Sequence, residues 1–533
     1  MATSLILLSL LAKITQHKDP KYSSMNLEPV LSYKYYGLNE AFRAIMEEEK
    51  DLERFQTSFY AKNLIEAYEL FKEKISDTPV ETLEKMFNSL IKKMLFSTVE
   101  LNDNRIDPFS SFETINNRGK DLSTLELFKN RLHFVAHKIC DEEDLENLQQ
   151  EINDTYTRIY HDLRSFEDDD LERFLKHFVE YYYGEKGDFK KRLLEMEFNA
   201  HKRYTHNTPF SDEYDKIDEL LFYLSYSSKV WNFLHTLDEK AITLIFNDNK
   251  KLEIEITPKT RTLLEKMRRL NALSDNAFLP LLLSLLTIQF VGRSGDERRY
   301  TTKELEDLLE YLERFGFLVY GVAGKNTAKN EWIELAFRAF RAYRYGEENI
   351  TIEDLPTLEK HFFKGKHSGL ELLEENIHSK KNTEKWYKWG KVLNYLLYEY
   401  ELYHNPETTL NFDGSIESIE HILPQKPDQG YNAKEKDWAK NPHIVHALGN
   451  LLLISKNANS SLSNKPFEEK RKAYLKGSYS EKEVAKNASF GIVEIQERSE
   501  KLLDFLIMRY NIAELVGENA IKAFKNALLK DIK

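Results

Sequence analysis

The sequence predicts an α+β protein that is predominantly α-helical. Apolar residues recur at helical spacing through most of 145–375, whereas strand-like runs occur only near 93–115 and around 418–454. At 533 residues the chain exceeds one ordinary core, so two to four domains are expected. Composition shifts divide it at 1–145, 146–375 and 376–533.

Hydrophobic residues at 41% and aromatics at 12% are ample for folded domains. A formal net charge of −12 excludes an all-over basic coat for nucleic acid, while a local basic groove stays compatible because phosphate contacts act at close range. The single cysteine, Cys140, excludes an intrachain disulfide and a Cys-rich zinc site, and fits a reducing compartment. The longest apolar runs, 5–12 and 278–291, fall short of the roughly 20 residues that span a bilayer. The start lacks the basic region and cleavage site of a signal peptide, so a soluble cytoplasmic protein is expected.

In order, 3–14, 27–49 and 52–74 read as helices. The β-branched and aromatic run 93–101 reads as a strand, and 109–115 as a second short one. Asn116-Asn117-Arg118-Gly119 then makes a turn, because Asn and Gly tolerate positive φ. Ser123 and Glu126 form a capping box that opens a helix. A strand, a glycine turn and a capped helix can present backbone N–H groups to an anion.

Residues 112–130, FETINNRGKDLSTLELFKN, resemble the FE-x-x-N-x-RG-x-x-LS signature of the GmrSD-type restriction family, in its GmrS-like, ParB/sulfiredoxin-related domain. The resemblance implies that Asn116, Arg118, Gly119 and Ser123 serve nucleotide binding or regulation, with a nucleoside triphosphate as ligand. The family pattern also has an upstream Asp-Gly-Gln-Gln-Arg motif. The first residues of this chain resemble only the helix start that comes after that motif. The first domain is therefore expected to be N-terminally incomplete, its motif lost, supplied by a partner chain, or cut off by a misplaced start.

Further helices are expected over 171–183, 215–234, 260–273, 301–315 and 331–343. The acidic run 167–170 is explained by the dipole of a first helical turn rather than by a metal. Residues 321–327 (GVAGKNT) lack phosphate-loop spacing and read as a loop between helices. Arg261, Lys266, Arg268 and Arg269 read as a solvated basic face. The aromatics of 385–403 lie at helical spacing and read as core.

The chemistry gathers in 418–471. Glu420 offers an anionic oxygen and Asn459 a neutral carbonyl oxygen, both suited to Mg²⁺ or Mn²⁺. On a strand, His421 points to the face opposite Glu420, and its ordinary pKa near 6.5 suits a general base. Asn450 opens an apolar strand, 451–454, and Asn459 comes nine residues later near the start of a segment leading to Lys465, Lys470 and Arg471, which read as phosphate-holding cations. Asn457 competes with Asn459 as ligand. His443 and His446 stand at i, i+3, yet no third zinc ligand has a sensible spacing, so both read as loop-packing or phosphate-contacting residues.

The elements EHILPQ, LGNL-x-L and LSN-x-x-F-x-x-KR, in this order, resemble the HNH superfamily, specifically the GmrD-like C-terminal domain of the same restriction family. That resemblance implies a ββα-metal nuclease fold, with Glu420 and Asn459 as metal ligands, His421 as base, and Asn450 orienting the catalytic loop or the histidine. It also implies a bacterial defence enzyme acting on foreign or modified DNA. The alternatives are a non-catalytic, nucleotide- or DNA-responsive subunit working with a partner chain, and an RNA-directed toxin nuclease. Oligomeric state is left open.

Overall fold

In the computed structural model the described residues are 38–47, 49–57, 59–93, 122–163, 166–199, 202, 212–238, 244–245, 251–252, 256–291, 299–408, 417–427 and 430–532. They are predominantly helical, and the chain divides into two compact units, residues 1–253 and 254–533. Residue 375, expected to close a middle domain, lies inside the helix Gly369–His378. The strands expected at 93–101 and 109–115, and the residues Asn116, Arg118 and Gly119, lie outside the described residues apart from Lys93, which ends a helix.

In the first unit, α1 (Leu38–Met46) packs on α2 (Phe59–Ser76). Leu38, Ala41, Phe42 and Ile45 interlock with Ala61, Leu64, Ile65 and Tyr68, each set on one face at i, i+3, i+4 spacing. After α3 (Val80–Lys93), α4 (Thr124–Ile139) opens on the expected capping box. Ser123 Oγ accepts from Glu126 N at 3.3 Å, and Glu126 Oε2 accepts from Ser123 N at 2.9 Å. Leu125, Phe128, Leu132, Val135 and Ile139 face the core against α5 (Glu142–Asp162), which packs in turn on α7 (Asp212–Thr236). Between them, α6 (Asp168–Tyr183) carries its acidic residues in the first turn and stops at Gly184, whose φ of 69° is the left-handed cap that glycine adopts without strain. A short antiparallel pair, β1 (Leu244–Ile245) with β2 (Lys251–Leu252), interrupts a region read as mostly helical. Its apolar runs flank Asn247-Asp248-Asn249, a turn-forming composition that competes with helix.

In the second unit, α8 (Pro258–Asn271) packs on α10 (Thr302–Phe315), and the mostly apolar, uncharged α9 (Leu279–Val291) packs on α11 (Lys329–Tyr345). Among the described residues no helix is long and apolar enough to cross a membrane. Residues 316–322 form a π-helical turn, and Lys325, in the loop beyond it, gives its ammonium to the carbonyls of His361 and Phe363. After α12 (Gly369–His378), the aromatic segment expected to be one helix over 385–403 is instead a 3₁₀ turn, Lys385–Trp389, leading into α13 (Lys391–His404). The break falls at Gly390, with φ 58° and ψ −122°. Only glycine takes that conformation without strain.

Lys266 is not on a solvated face. Its ammonium lies 2.7 Å from Glu399 Oε2 on α13 and both side chains are buried. Arg269 covers the Tyr398 ring at 3.9 Å.

Candidate active site

β3 (Glu417–His421) pairs antiparallel with β4 (Leu451–Ser455), setting Glu420 opposite Leu452 and His421 opposite Leu451. β4 is apolar on both faces because helices cover it: α13 packs against it, as do α14 (Lys456–Leu462) and α16 (Tyr479–Ala485). Ser455 caps α14 through its hydroxyl, which accepts from Ala458 N at 3.2 Å. Two strands and a helix thus stand in the expected order. The helix α15 (Phe467–Tyr474) then returns to β3.

Glu420 is 3% exposed and Lys470 is fully buried. The Lys470 ammonium lies 2.5 Å from Glu420 Oε1, 2.8 Å from the His421 carbonyl and 3.3 Å from the Ile422 carbonyl. Tyr474, one turn on, donates to the same Oε1 at 3.2 Å. Burial pushes the Glu420 carboxyl above the usual carboxylate range and lowers the Lys470 ammonium, and their ion pair opposes both shifts. Asn459 lies against the same strand. Its Nδ2 donates to Ser418 Oγ at 2.7 Å and to the Ile419 carbonyl at 3.2 Å. Asn457 is exposed on α14, so geometry separates the two candidates.

His421 faces away from this cluster. Its Nε2 lies 3.0 Å from His446 Nδ1 and its Nδ1 lies 3.3 Å from Gln425 Nε2, while the Tyr387 ring covers it with centroids 4.9 Å apart. Burial, then the neighbouring His446 and Lys470 charges, lower its pKa to about 3, so the imidazole is neutral at neutral pH.

Asn450 is fully buried and makes no approach to solvent. Its Nδ2 donates to the carbonyls of Leu423 and Val445 at 2.9 and 2.8 Å, and its Oδ1 accepts from Leu423 N at 2.7 Å. It therefore fastens the segment after His421 to the segment before β4. The helix α17 (Ile492–Arg509) clamps the same turn: Arg498 donates to the carbonyls of Gly449 and Leu451 at 2.8 and 2.7 Å, and Ser499 Oγ accepts from Gly449 N. A Cβ on Gly449 would meet the Ile495 carbonyl at 2.0 Å, so the clamp needs glycine.

Among the expected phosphate-holding cations, Lys465 is exposed. Arg471 gives its Nε to the Ala485 carbonyl at 2.8 Å and is only partly buried. Lys470 is sealed inside, with its ammonium committed to Glu420 and two carbonyls, so the structure gives it a holding role within the fold and not a place against phosphate. At the start of α4, Thr124 N donates to Glu172 Oε1 at 2.7 Å; the chain's own carboxylates, Glu172 and Glu126, meet the helix start where an anion was expected. His446, Gln425, Tyr387, Tyr474 and Arg498 complete the site. The i, i+4 spacing that puts Tyr474 on the same helix face as Lys470 was the available signal for that residue.

Among the described residues no group of three or more His, Cys, Asp or Glu is placed to hold a metal, so no zinc cage is built. The side-chain hydrogen bonds from Lys470 and Tyr474 reach Glu420 through Oε1, and those of Asn459 run through Nδ2. One carboxylate and one amide oxygen suit Mg²⁺, which keeps several waters.

Two family models match the chain. The one described as GmrSD restriction endonucleases, C-terminal domain, matches residues 373–505, and the one described as GmrSD restriction endonuclease, N-terminal domain, matches residues 6–133. No curated protein matches. The ordered pairing of β3, β4 and α14 falls wholly inside the first match, and the capping box that opens α4 falls inside the second. With both of its domain types present in one polypeptide, the chain belongs to the GmrSD restriction endonuclease family, whose members are nucleases of restriction systems.

Proposed function

We propose that this chain is a metal-dependent endonuclease of a bacterial anti-phage restriction system, hydrolysing phosphodiesters of foreign or modified DNA through an HNH site. One observation carries the reading: hydrogen bonds orient Glu420 through Oε1 on β3 and hold Asn459, on the helix after β4, against the same strand through Nδ2, with His421 next to Glu420 in that strand. Glu420 and Asn459 would hold Mg²⁺ or Mn²⁺, which supplies Lewis-acid stabilisation of charge building on the phosphoryl oxygens. His421 takes a proton from the water that attacks phosphorus as the bond to the leaving sugar oxygen breaks. Lys470 and Tyr474 orient Glu420, Asn450 and Arg498 hold the segment after His421 and the turn before β4, and Lys465 contacts the DNA backbone. A nucleoside triphosphate at the N-terminal domain, with a partner chain contributing to it, is the regulator in this reading.

The test incubates the full chain with supercoiled plasmid, and separately with RNA, in Mg²⁺, Mn²⁺ or EDTA. Nicking of DNA that needs the metal is expected. Cutting that persists in EDTA, or that is confined to RNA, overturns the proposal.

A further inference from the structure

We infer that His446 is a positioning residue for the reaction: by accepting a hydrogen bond from His421 Nε2–H, it fixes the base in the tautomer whose lone pair lies at Nδ1. The inference rests on the reading of His421 as general base. Two facing ring nitrogens 3.0 Å apart hold one proton between them, and the geometry alone does not say which ring owns it. Gln425 decides. Its amide nitrogen, 3.3 Å from His421 Nδ1, can only donate, so Nδ1 carries the lone pair. The His421 proton is then on Nε2, directed at His446 Nδ1, and the His446 proton is on its own Nε2.

Exposure agrees with this order. His421 and His446 are 7% and 8% exposed, and Tyr387 packs on both rings, tilted at 4.9 Å over the first and stacked at 5.8 Å on the second. The Nε2 side of His421 therefore faces the interior. Gln425 on the Nδ1 side is exposed, so that nitrogen is the one a water can reach. The amide N–H of Gln425 makes to Nδ1 the same kind of bond that an attacking water makes through O–H, and it has to move aside when that water arrives. A base whose second nitrogen is held in this way keeps its orientation and its basic atom through the reaction. His446 therefore works through His421 and touches no reacting atom.

The test uses the full-length chain labelled with ¹⁵N in its histidines, with His421 assigned by comparison with His421→Gln. Long-range ¹H–¹⁵N spectra at neutral pH are expected to report the Nε2–H tautomer in the wild type. His446→Asn keeps an acceptor near the Nδ1 position and is expected to retain that tautomer and most of the cleavage rate. His446→Leu is expected to lose the tautomer preference and to lower kcat for plasmid nicking roughly 10- to 100-fold, with KM unchanged. Cleavage at the wild-type rate by His446→Leu overturns the proposal, as does equal loss in the Asn and Leu variants. An Nδ1–H tautomer in a wild type that cuts DNA overturns it while leaving the nuclease reading intact. A wild type that cuts no DNA under any metal overturns the nuclease reading, and the catalytic role of His446 with it.

Discussion

The Lys470 ammonium and Glu420 Oε1 lie 2.5 Å apart with both side chains out of solvent, 50 residues apart in sequence. Removing the lysine leaves the buried Glu420 carboxyl with Tyr474 as its remaining side-chain donor and takes the ammonium from the carbonyls of His421 and Ile422. Lys470→Met is expected to destabilise the protein by about 3–5 kcal/mol in a denaturant titration. Adding Glu420→Gln should restore part of that loss, because the uncompensated charge goes with it. A Lys470→Met protein with an unchanged midpoint would contradict a holding role.

Asn450 bonds three backbone groups through its buried amide. In Asn450→Asp, an anionic oxygen replaces the Nδ2 donor and faces the Leu423 and Val445 carbonyls. Asn450→Ala, which leaves three backbone groups unpaired, is expected to cost roughly 3 kcal/mol, and the aspartate more. Thermal or chemical unfolding checks the order. An aspartate variant as stable as the wild type would show that the amide does not fasten these segments.

The depressed pKa of His421, about 3, has a stability consequence. An unfolded histidine titrates near 6.5, so between pH 6.5 and 3 the unfolded chain binds the proton and the folded chain does not. The contribution is complete above pH 6.5 and is lost as pH falls, amounting to about 2 kcal/mol by pH 5. Unfolding of metal-free protein at pH 7 and pH 5 measures it, and His421→Phe should shrink the difference by that amount. An equal slope in the variant would contradict the burial of a neutral imidazole.

A second buried network tests the reading of the basic residues. Arg509 bridges Glu313 at 3.2 Å and Glu399 at 3.1 Å, Lys266 pairs with Glu399, and Tyr395 and Tyr510 donate to Glu313 Oε1. Burial, with the nearby Glu399 charge, raises the Glu313 carboxyl above its ordinary range. Arg509→Leu is expected to cost about 3–5 kcal/mol by denaturation. Lys266→Ala should likewise act on stability without changing the salt dependence of DNA binding; a reduced salt slope would place Lys266 on phosphate instead.

How much of the structure is legible in the sequence depends on how local its determinants are. The capping box at Ser123 depends on residues three apart and forms where expected; the helix expected over 301–315 opens on a second box of the same local kind at Thr301. The strand expected over 451–454 forms because its apolar run is local, and β3, β4 and α14 follow one another in the order the motif implies. Lys470 and Arg471 look alike in sequence, yet α15 turns one inward and the other to a backbone carbonyl, and only packing against β3 decides which. The pair His443 and His446 misleads in the same way. The short helix Pro442–Val445 ends between them, so His446 meets His421 while His443 lies 3.4 Å from Asp531. Neither partner is near in sequence. The break at Gly390 escapes a reading of periodicity because one residue in an unusual conformation redirects a segment whose apolar spacing is otherwise helical.

The central claim is that His421 is the base of a DNA-cutting site, and the rate of supercoiled plasmid nicking by wild type and His421→Ala, in Mg²⁺ or Mn²⁺ with enzyme in excess, tests it most directly. The expected result is metal-dependent nicking by the wild type and a rate lower by roughly 10²- to 10⁴-fold in the variant. Equal rates, or a wild type inert with both metals, would contradict it.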